Sequence, residues 1–132
     1  MNFPKVKPKR VLIVDDEDFV RELVRIMLES CGIETIEGKN GLEAIEKAQS
    51  EKPNLILLDV MMPKMDGYEA CRQLKSNPET AQIPIVMLTA RSDVSAKELG
   101  GRMGVLEYLV KPFSPKKMAE RVTELLNHSD PL

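Results

Sequence analysis

The sequence predicts an α/β fold in which helices cover both faces of a parallel sheet. Short aliphatic runs such as Leu55 to Leu58 have no polar face, which indicates strands buried on both sides. Segments with apolar residues at helical spacing alternate with these runs, and only a few residues connect them. These observations predict right-handed βαβ crossovers and a doubly wound sheet of five strands with five helices.

Size and composition are those of one globular domain. The chain has 132 residues, of which 42% are hydrophobic and 30% charged. Its net charge of -2 gives no electrostatic reason to expect nucleic-acid binding. The basic residues near the start lie in a proline-containing leader, residues 1–8, which we interpret as solvated rather than as an interaction arm.

No segment resembles a signal peptide or a membrane span, since no apolar run approaches ~18 residues. We therefore expect a cytoplasmic protein without membrane contact. The two cysteines, Cys31 and Cys71, each fall on the apolar stripe of a predicted helix. Their spacing is not that of a metal site or a disulfide framework, so both are expected to pack in the core.

The first strand, residues 11–14, is followed directly by Asp15 and Asp16. Residues 18–31 have one apolar face and predict a helix that Gly32 ends. The inward residues of that helix are expected to be Val20, Leu23, Val24, Met27, Leu28 and Cys31.

The next elements are an edge strand and a short helix. Residues 33–37 have the weaker pattern of an edge strand, and the turn before residue 42 supplies a helix cap. The helix is predicted over residues 42–50, with Leu42, Ile45 and Ala48 inward.

In the second half, residues 66–76 form the third predicted helix, and Pro84 introduces a strand at 85–88. A weaker fourth helix, residues 92–103, ends in glycines that raise its backbone entropy. The fifth strand covers residues 107–110. Ser114 and Pro115 are an N-cap and an N1 proline for a fifth helix to residue 127, with inward residues Met118, Val122, Leu125 and Leu126.

Polar residues follow the strong strands. Because the carboxyl ends of parallel strands share one edge of the sheet, these residues are expected to meet in a crevice. An acid after one strand is commonly only a turn or cap residue, but four strands that end this way indicate a site. The residues are Asp15, Asp16, Asp59, Thr89 and Lys111.

Three converging carboxylates repel one another and require a cation. Mg²⁺ is the natural choice, since it takes carboxylates, waters and a phosphate oxygen. With the ion present, Asp59 could stay ionised as a nucleophile toward phosphorus. Thr89 and Lys111 offer a hydroxyl and an ammonium for phosphoryl oxygens.

Four motifs in this order resemble the receiver domain of two-component response regulators. The resemblance covers residues 9–128 and implies a CheY-like, flavodoxin-like fold with sheet order 2-1-3-4-5, while residues 129–132 form a tail. The motifs are Val-Asp-Asp at 14–16, Leu-Asp-Val-Met-Met-Pro-Lys-Met-Asp-Gly at 58–67, Met-Leu-Thr-Ala at 87–90 and Tyr-Leu-Val-Lys-Pro-Phe at 108–113.

The resemblance also implies roles for individual residues. Asp59 would accept a phosphoryl group from a phosphohistidine of a sensor histidine kinase or phosphotransfer protein. Asp16 and Asp59 would bind Mg²⁺ directly, Asp15 through water and Met61 through its backbone carbonyl. Lys111 would grip the phosphoryl group together with Thr89.

Tyr108 matches the switch aromatic of the family, which turns inward when Thr89 moves toward the phosphate; plain packing is the alternative. The Lys111-Pro112 bond is expected to be cis. Met61 and Arg91 flank the path of the water that would remove the phosphoryl group. Neither is a good base or a good water-orienting group, so we expect a long-lived phosphoryl-aspartate.

The domain is expected to signal by binding rather than to act as an enzyme on other substrates. A downstream protein would meet the face formed by the fourth helix, fifth strand and fifth helix, and the domain would be a monomer or a phosphorylation-promoted dimer. Because only residues 129–132 follow the fifth predicted helix, we expect no output domain after it within this sequence. It is either a stand-alone receiver, which the ending Asp130-Pro131-Leu132 favours, or part of a longer regulator.

Two other functions share features with this sequence. Haloacid dehalogenase-type phosphatases use a similar set of groups, but their general-acid aspartate lies two residues after the nucleophile, where this chain has Met61. A degenerate receiver, acting only as an interaction module, is disfavoured because all the acids, Thr89 and Lys111 are present.

Overall fold

The computed structural model describes residues 7–62, 65–90, 104–111 and 113–128, apart from the side chains of Ala90 and His128. Over these residues it contains five strands and four helices. In chain order they are β1 (Arg10–Val14), α1 (Asp18–Ser30), β2 (Glu34–Gly38), α2 (Gly41–Glu51), β3 (Leu55–Asp59), α3 (Gly67–Ser76), β4 (Ile85–Ala90), β5 (Glu107–Lys111) and α4 (Pro115–His128).

The strands form one sheet in the order β2-β1-β3-β4-β5, and every neighbouring pair is parallel. This order confirms the predicted doubly wound sheet. The predicted fourth helix, residues 92–103, lies outside the described residues. None of the helices described is both long enough and apolar enough to cross a bilayer.

Alternate residues of the central strands enter two separate cores, because successive side chains of a strand point to opposite faces. On one face, β1 residues Val11 and Ile13 pack in a core with side chains of α1 and α4. On the other face, Leu12 and Val14 pack in a core with side chains of α2 and α3. Both faces of β1 from residue 11 to 14 and of β3 from residue 55 to 58 are therefore buried, which explains their continuous apolar sequence.

Side chains cap three helix starts, and the caps before α2 and α4 were predicted from the sequence. The side chain of Asn40 accepts from the backbone N–H of Glu43, and Asp66 accepts from that of Glu69. At the start of α4, the Ser114 hydroxyl accepts from the backbone N–H of Lys117 at 3.3 Å. These side chains satisfy helix N–H groups that have no partner within the helix.

Two burial predictions are wrong. Cys31 is exposed because it is the residue that follows the last turn of α1, where Gly32 turns the chain with a φ of 81°. Leu42 is 52% exposed, since α2 turns its small residues Ala44 and Ala48 toward the sheet. Cys71, by contrast, is fully buried in α3 as expected.

Candidate functional site

Three aspartates meet at the carboxyl edge of the two central strands. Val14 pairs with Leu58 across β1 and β3, so the residues that follow, Asp15 and Asp59, lie side by side. One carboxylate oxygen from each of Asp15, Asp16 and Asp59 lies within 4.8 Å of the other two. Asp15 and Asp59 are buried and Asp16 is exposed, so the cluster opens to solvent on one side.

Lys111, the last residue of β5, reaches across this edge to two of the carboxylates. Its Nζ lies 3.0 Å from Asp15 Oδ2 and 3.4 Å from Asp59 Oδ2. Burial disfavours the charged ammonium and lowers the pKa of Lys111. The Asp59 and Asp15 carboxylates favour the charged form more strongly, so the pKa of Lys111 lies above its ordinary value. Lys111 is therefore a charged amine held inside an acidic cleft.

The Asp59 carboxyl group has a pKa above its ordinary value. Burial, and then repulsion from Asp15, raise its pKa to about 6, although Lys111 and the backbone N–H of Met61 act in the opposite direction. That N–H donates to Asp59 Oδ1 at 3.3 Å. At neutral pH Asp59 is mostly ionised, and its carboxylate is held from two sides by Lys111 and Met61.

The β4 and β5 residues also occupy the expected edge. Thr89 is 1% exposed and pairs with Val110, next to Lys111. Tyr108 lies further back on β5, opposite Met87, and its hydroxyl is buried without a hydrogen-bond partner among the described residues. Burial, and then the charge of a neighbouring Cys71, raise the pKa of Tyr108.

The remaining predicted residues are placed only in part. The side chain of Met61 is 68% exposed beside the cluster. Arg91 and Pro112 lie outside the described residues, and so does the predicted cis bond. The structure thus brings together Asp15, Asp16, Asp59 and Lys111, with Met61 at the rim.

Sequence reasoning missed two residues that shape the site. Arg21 on α1 is buried and donates from Nη1 to the carbonyl oxygen of Asp15 at 2.6 Å. It lies three and seven residues before the buried Val24 and Leu28, so a charge on a buried helix face was the available signal. Gly67 packs against the backbone of Asp59 and Val60, and its position at the first turn of α3 was the signal there.

The donor set fits a small hard cation. Mg²⁺ prefers oxygen ligands and is commonly bound by one or two carboxylates together with waters. Three carboxylates within reach of one another, two of them buried beside a single ammonium, carry excess negative charge that a divalent ion can neutralise.

The sheet order and the aspartates and lysine at its carboxyl edge define a doubly wound α/β domain with an acidic cleft. A family model described as the response regulator receiver domain matches residues 11–123. The chain belongs to this family and is a receiver domain of the response regulator type, a signalling domain rather than an ordinary enzyme. Receiver domains of response regulators work with histidine kinases and output domains.

A curated relative is the alkaline phosphatase synthesis transcriptional regulatory protein PhoP of Bacillus subtilis. It is 43% identical over 122 residues, which are 92% of this chain and 50% of that protein. The chain spans about half the length of the curated relatives it matches.

Two solved structures share the fold. The Vibrio cholerae chemotaxis protein CheY4 has a TM-score of 0.83 at 32% identity, over 89% of this chain and 98% of that one. The receiver domain of a sensor histidine kinase from Pseudomonas aeruginosa has a TM-score of 0.82 at 26% identity, over 92% of this chain and 99% of that one. In that structure a magnesium ion is coordinated in the active-site cleft.

Proposed function

We propose that this receiver domain accepts a phosphoryl group on Asp59 from the phosphohistidine of a sensor kinase or phosphotransfer protein. One observation supports this assignment above the others. The buried Asp59 carboxylate lies 3.4 Å from the Lys111 ammonium and within 4.8 Å of the Asp15 and Asp16 carboxylates. Among the acids of the cluster, Asp59 combines burial with a place at the end of the central strand β3.

In the proposed transfer a carboxylate oxygen of Asp59 forms a bond to phosphorus while the bond from phosphorus to the donor imidazole nitrogen breaks. The imidazole leaves with the bonding electron pair and keeps the proton on its other nitrogen, so it leaves as a neutral base. Asp59 must be ionised to act as the nucleophile. Because the pKa of Asp59 is about 6, its carboxyl group is ionised in most protein molecules at neutral pH.

Mg²⁺ would be held by the three aspartates of the cluster. Asp16 and Asp59 would bind the ion directly, and Asp15 would bind it through a water. Met61 would offer its backbone carbonyl. The bound ion would supply positive charge that neutralises the carboxylates and the incoming phosphoryl oxygens. The support from this chain is the all-oxygen donor set, in which one carboxylate oxygen of each aspartate is within reach of the others.

Lys111 and Thr89 would hold the phosphoryl oxygens after transfer. The Lys111 ammonium now contacts Asp15 and Asp59, and it can exchange one of these contacts for a phosphoryl oxygen with little movement. A shift of Thr89 toward the phosphate would leave space into which Tyr108 turns. The proposed signal is this coupled movement of Thr89 and Tyr108.

The output partner would be a protein that reads the β5 and α4 face. On that face Arg121 of α4 donates from Nε to Glu107 of β5 at 2.7 Å, which joins the two elements. The helix predicted at residues 92–103, which precedes β5 and would complete the face, lies outside the described residues. Phosphorylation-promoted dimerisation and the cytoplasmic location remain predictions.

Incubation with acetyl phosphate and Mg²⁺, followed by intact mass measurement, tests the assignment. We expect one phosphoryl group on the wild type, none after chelation with EDTA and none on Asp59→Asn. Asp66→Asn is a matched control, because Asp66 is an exposed N-cap outside the cluster and asparagine keeps its capping acceptor. A phosphoryl group on Asp59→Asn, or none on the wild type, would refute the proposal.

The same experiment separates the alternatives. A degenerate receiver would stay unmodified with every donor. A haloacid dehalogenase-type phosphatase would hydrolyse a phosphate ester in large excess over protein, but the exposed Met61 thioether cannot donate the proton that such turnover requires.

A further inference from the structure

Arg21 is the only basic side chain that is buried among the described residues, with 5% of its surface exposed. It lies on the sheet-facing side of α1 together with Val24 and Leu28. Burying a guanidinium is costly unless each side of it is paired. The chain therefore places a buried charge close to the acidic cleft, although the proposed phosphoryl transfer does not use it.

The guanidinium of Arg21 joins three parts of the fold. Nη1 donates to the carbonyl oxygen of Asp15 at 2.6 Å, and Nε donates to Glu37 Oε1 of β2 at 3.2 Å. Nη2 donates to Asp18 Oδ1 in the first turn of α1. Because the guanidinium is planar and rigid, these acceptors are held in a fixed relation to one another.

The contact with Asp15 involves the peptide group that links Asp15 to Asp16. Fixing the direction of that carbonyl fixes the rotation of the backbone between the two aspartates, and with it the direction in which Asp16 leaves the chain. Asp16 is exposed, so its surroundings restrain it little. The backbone contact from Arg21 restrains where its carboxylate can lie.

The rest of Asp15 is already held by other groups. Its backbone N–H donates to the carbonyl oxygen of Gly38 at 3.2 Å. Its Oδ1 accepts from the backbone N–H of Glu17 at 3.0 Å, and its Oδ2 accepts from Lys111 Nζ at 3.0 Å. The hydrogen bond from Arg21 to the Asp15 carbonyl completes this set, so that the backbone N–H, the side chain and the carbonyl of Asp15 are all restrained.

We infer that Arg21 is a positioning residue that sets the magnesium affinity of the cluster, by fixing the peptide between Asp15 and Asp16. Its effect is geometric more than electrostatic, since Asp18 and Glu37 compensate its charge. The inference rests on the proposed magnesium site but not on phosphorylation. Loss of such groups behind metal ligands commonly weakens metal binding by about 10- to 100-fold.

Arg21→Lys tests the inference, because lysine keeps the charge but cannot serve three acceptors in one plane. Titration of the metal-free protein with Mg²⁺ by calorimetry is expected to show a dissociation constant about tenfold higher than that of the wild type. The rate of phosphorylation by acetyl phosphate at saturating Mg²⁺ is expected to change much less. A residue that only supports folding would lower stability without this change in affinity.

Arg25→Gln is the matched control. Arg25 lies one turn further along α1 and contacts Glu29 at 3.3 Å and Glu37 at 3.8 Å, but no hydrogen bond among the described residues joins it to the Asp15 carbonyl. Its loss is expected to leave the magnesium affinity unchanged. If Arg25→Gln weakens binding as much as Arg21→Lys, the effect comes from a general disturbance of α1 and the inference is wrong.

A second variant covers the case in which Arg21→Lys does not fold. Glu37→Gln leaves Arg21 in place but removes the charge that holds its Nε, and about threefold weaker binding is expected. The inference is wrong if each of Arg21→Lys and Glu37→Gln that folds binds Mg²⁺ as tightly as the wild type. A wild type that binds no Mg²⁺ refutes the proposed metal site itself, which is a separate outcome.

Discussion

Gly67 lies directly over the backbone of Asp59, the strand-end residue of the cluster. Its N–H donates to the carbonyl oxygen of Val60 at 2.9 Å. A Cβ at this position would lie 2.8 Å from the Val60 Cα and would overlap the Asp59 carbonyl oxygen. The start of α3 can approach the end of β3 this closely only because residue 67 has no side chain.

Gly67→Ala is therefore expected to lower the free energy of unfolding by about 1 to 3 kcal/mol, because backbone atoms must move to make room. The movement displaces Asp59, so phosphorylation by acetyl phosphate should also slow. Urea denaturation and intact mass kinetics measure the two effects. Gly38→Ala is the control, since a Cβ there would lie at an ordinary 3.5 Å from Val14 Cγ2. Equal stability of the two variants would contradict the close-packing argument.

Asp59→Asn is expected to stabilise the metal-free protein at neutral pH. The pKa of Asp59 is raised from its usual 3.8 to about 6 in the folded state, mainly by burial and then by Asp15. The Asp59 carboxyl group of the wild type therefore stabilises the folded state most at a pH below 3.8, its pKa in the unfolded chain. This contribution to stability is lost as the pH rises through about 6, its pKa in the folded state.

In EDTA, the free energy of unfolding of Asp59→Asn relative to the wild type should increase by about 2 kcal/mol between about pH 4.5 and about pH 7.5. Urea denaturation at both pH values measures it. Asp66→Asn, which removes one negative charge outside the cluster, controls for net charge. An advantage that does not depend on pH would show that the buried carboxylate is not the cause.

Met61→Asn is expected to shorten the lifetime of the phosphorylated protein, by roughly tenfold or less, because an amide can orient the attacking water and a thioether cannot. Met61 is 68% exposed at the rim of the cluster, so the substitution should not disturb the fold. Loss of the phosphoryl group after removal of the donor is followed by intact mass, with Met61→Leu as the apolar control. Rapid loss in the wild type that Met61→Asn leaves unchanged would count against this role.

Tyr108→Phe is expected to leave the unphosphorylated protein as stable as the wild type, or more stable by up to about 1 kcal/mol. The reason is that its hydroxyl is buried without a hydrogen-bond partner among the described residues, so its removal costs no bond. Tyr108→Leu, which removes the ring, should destabilise the protein. Thermal unfolding compares the three proteins, and a clear loss of stability in Tyr108→Phe would mean that the hydroxyl does have a partner.

The sequence predicted the framework well because each strand and cap has a local cause. Continuous apolar runs indicated the buried strands β1 and β3, and Ser114 marked the start of α4. Leu42 was misplaced because the apolar pattern of α2, which correctly predicted Ala48 inward, did not reveal that Ala44 rather than Leu42 faces the sheet. Cys31 was misplaced because helical spacing says nothing of where the last turn ends.

By itself, the sequence determined which residues end the strands, since polar residues after apolar runs can be read without coordinates and parallel topology puts them on one edge. Only the tertiary structure decided which oxygens lie within reach of one another, that Lys111 joins Asp15 to Asp59, and that Arg21 is buried behind the turn. These relations depend on contacts between segments far apart in the chain, and side-chain direction across such distances follows from packing rather than from local pattern.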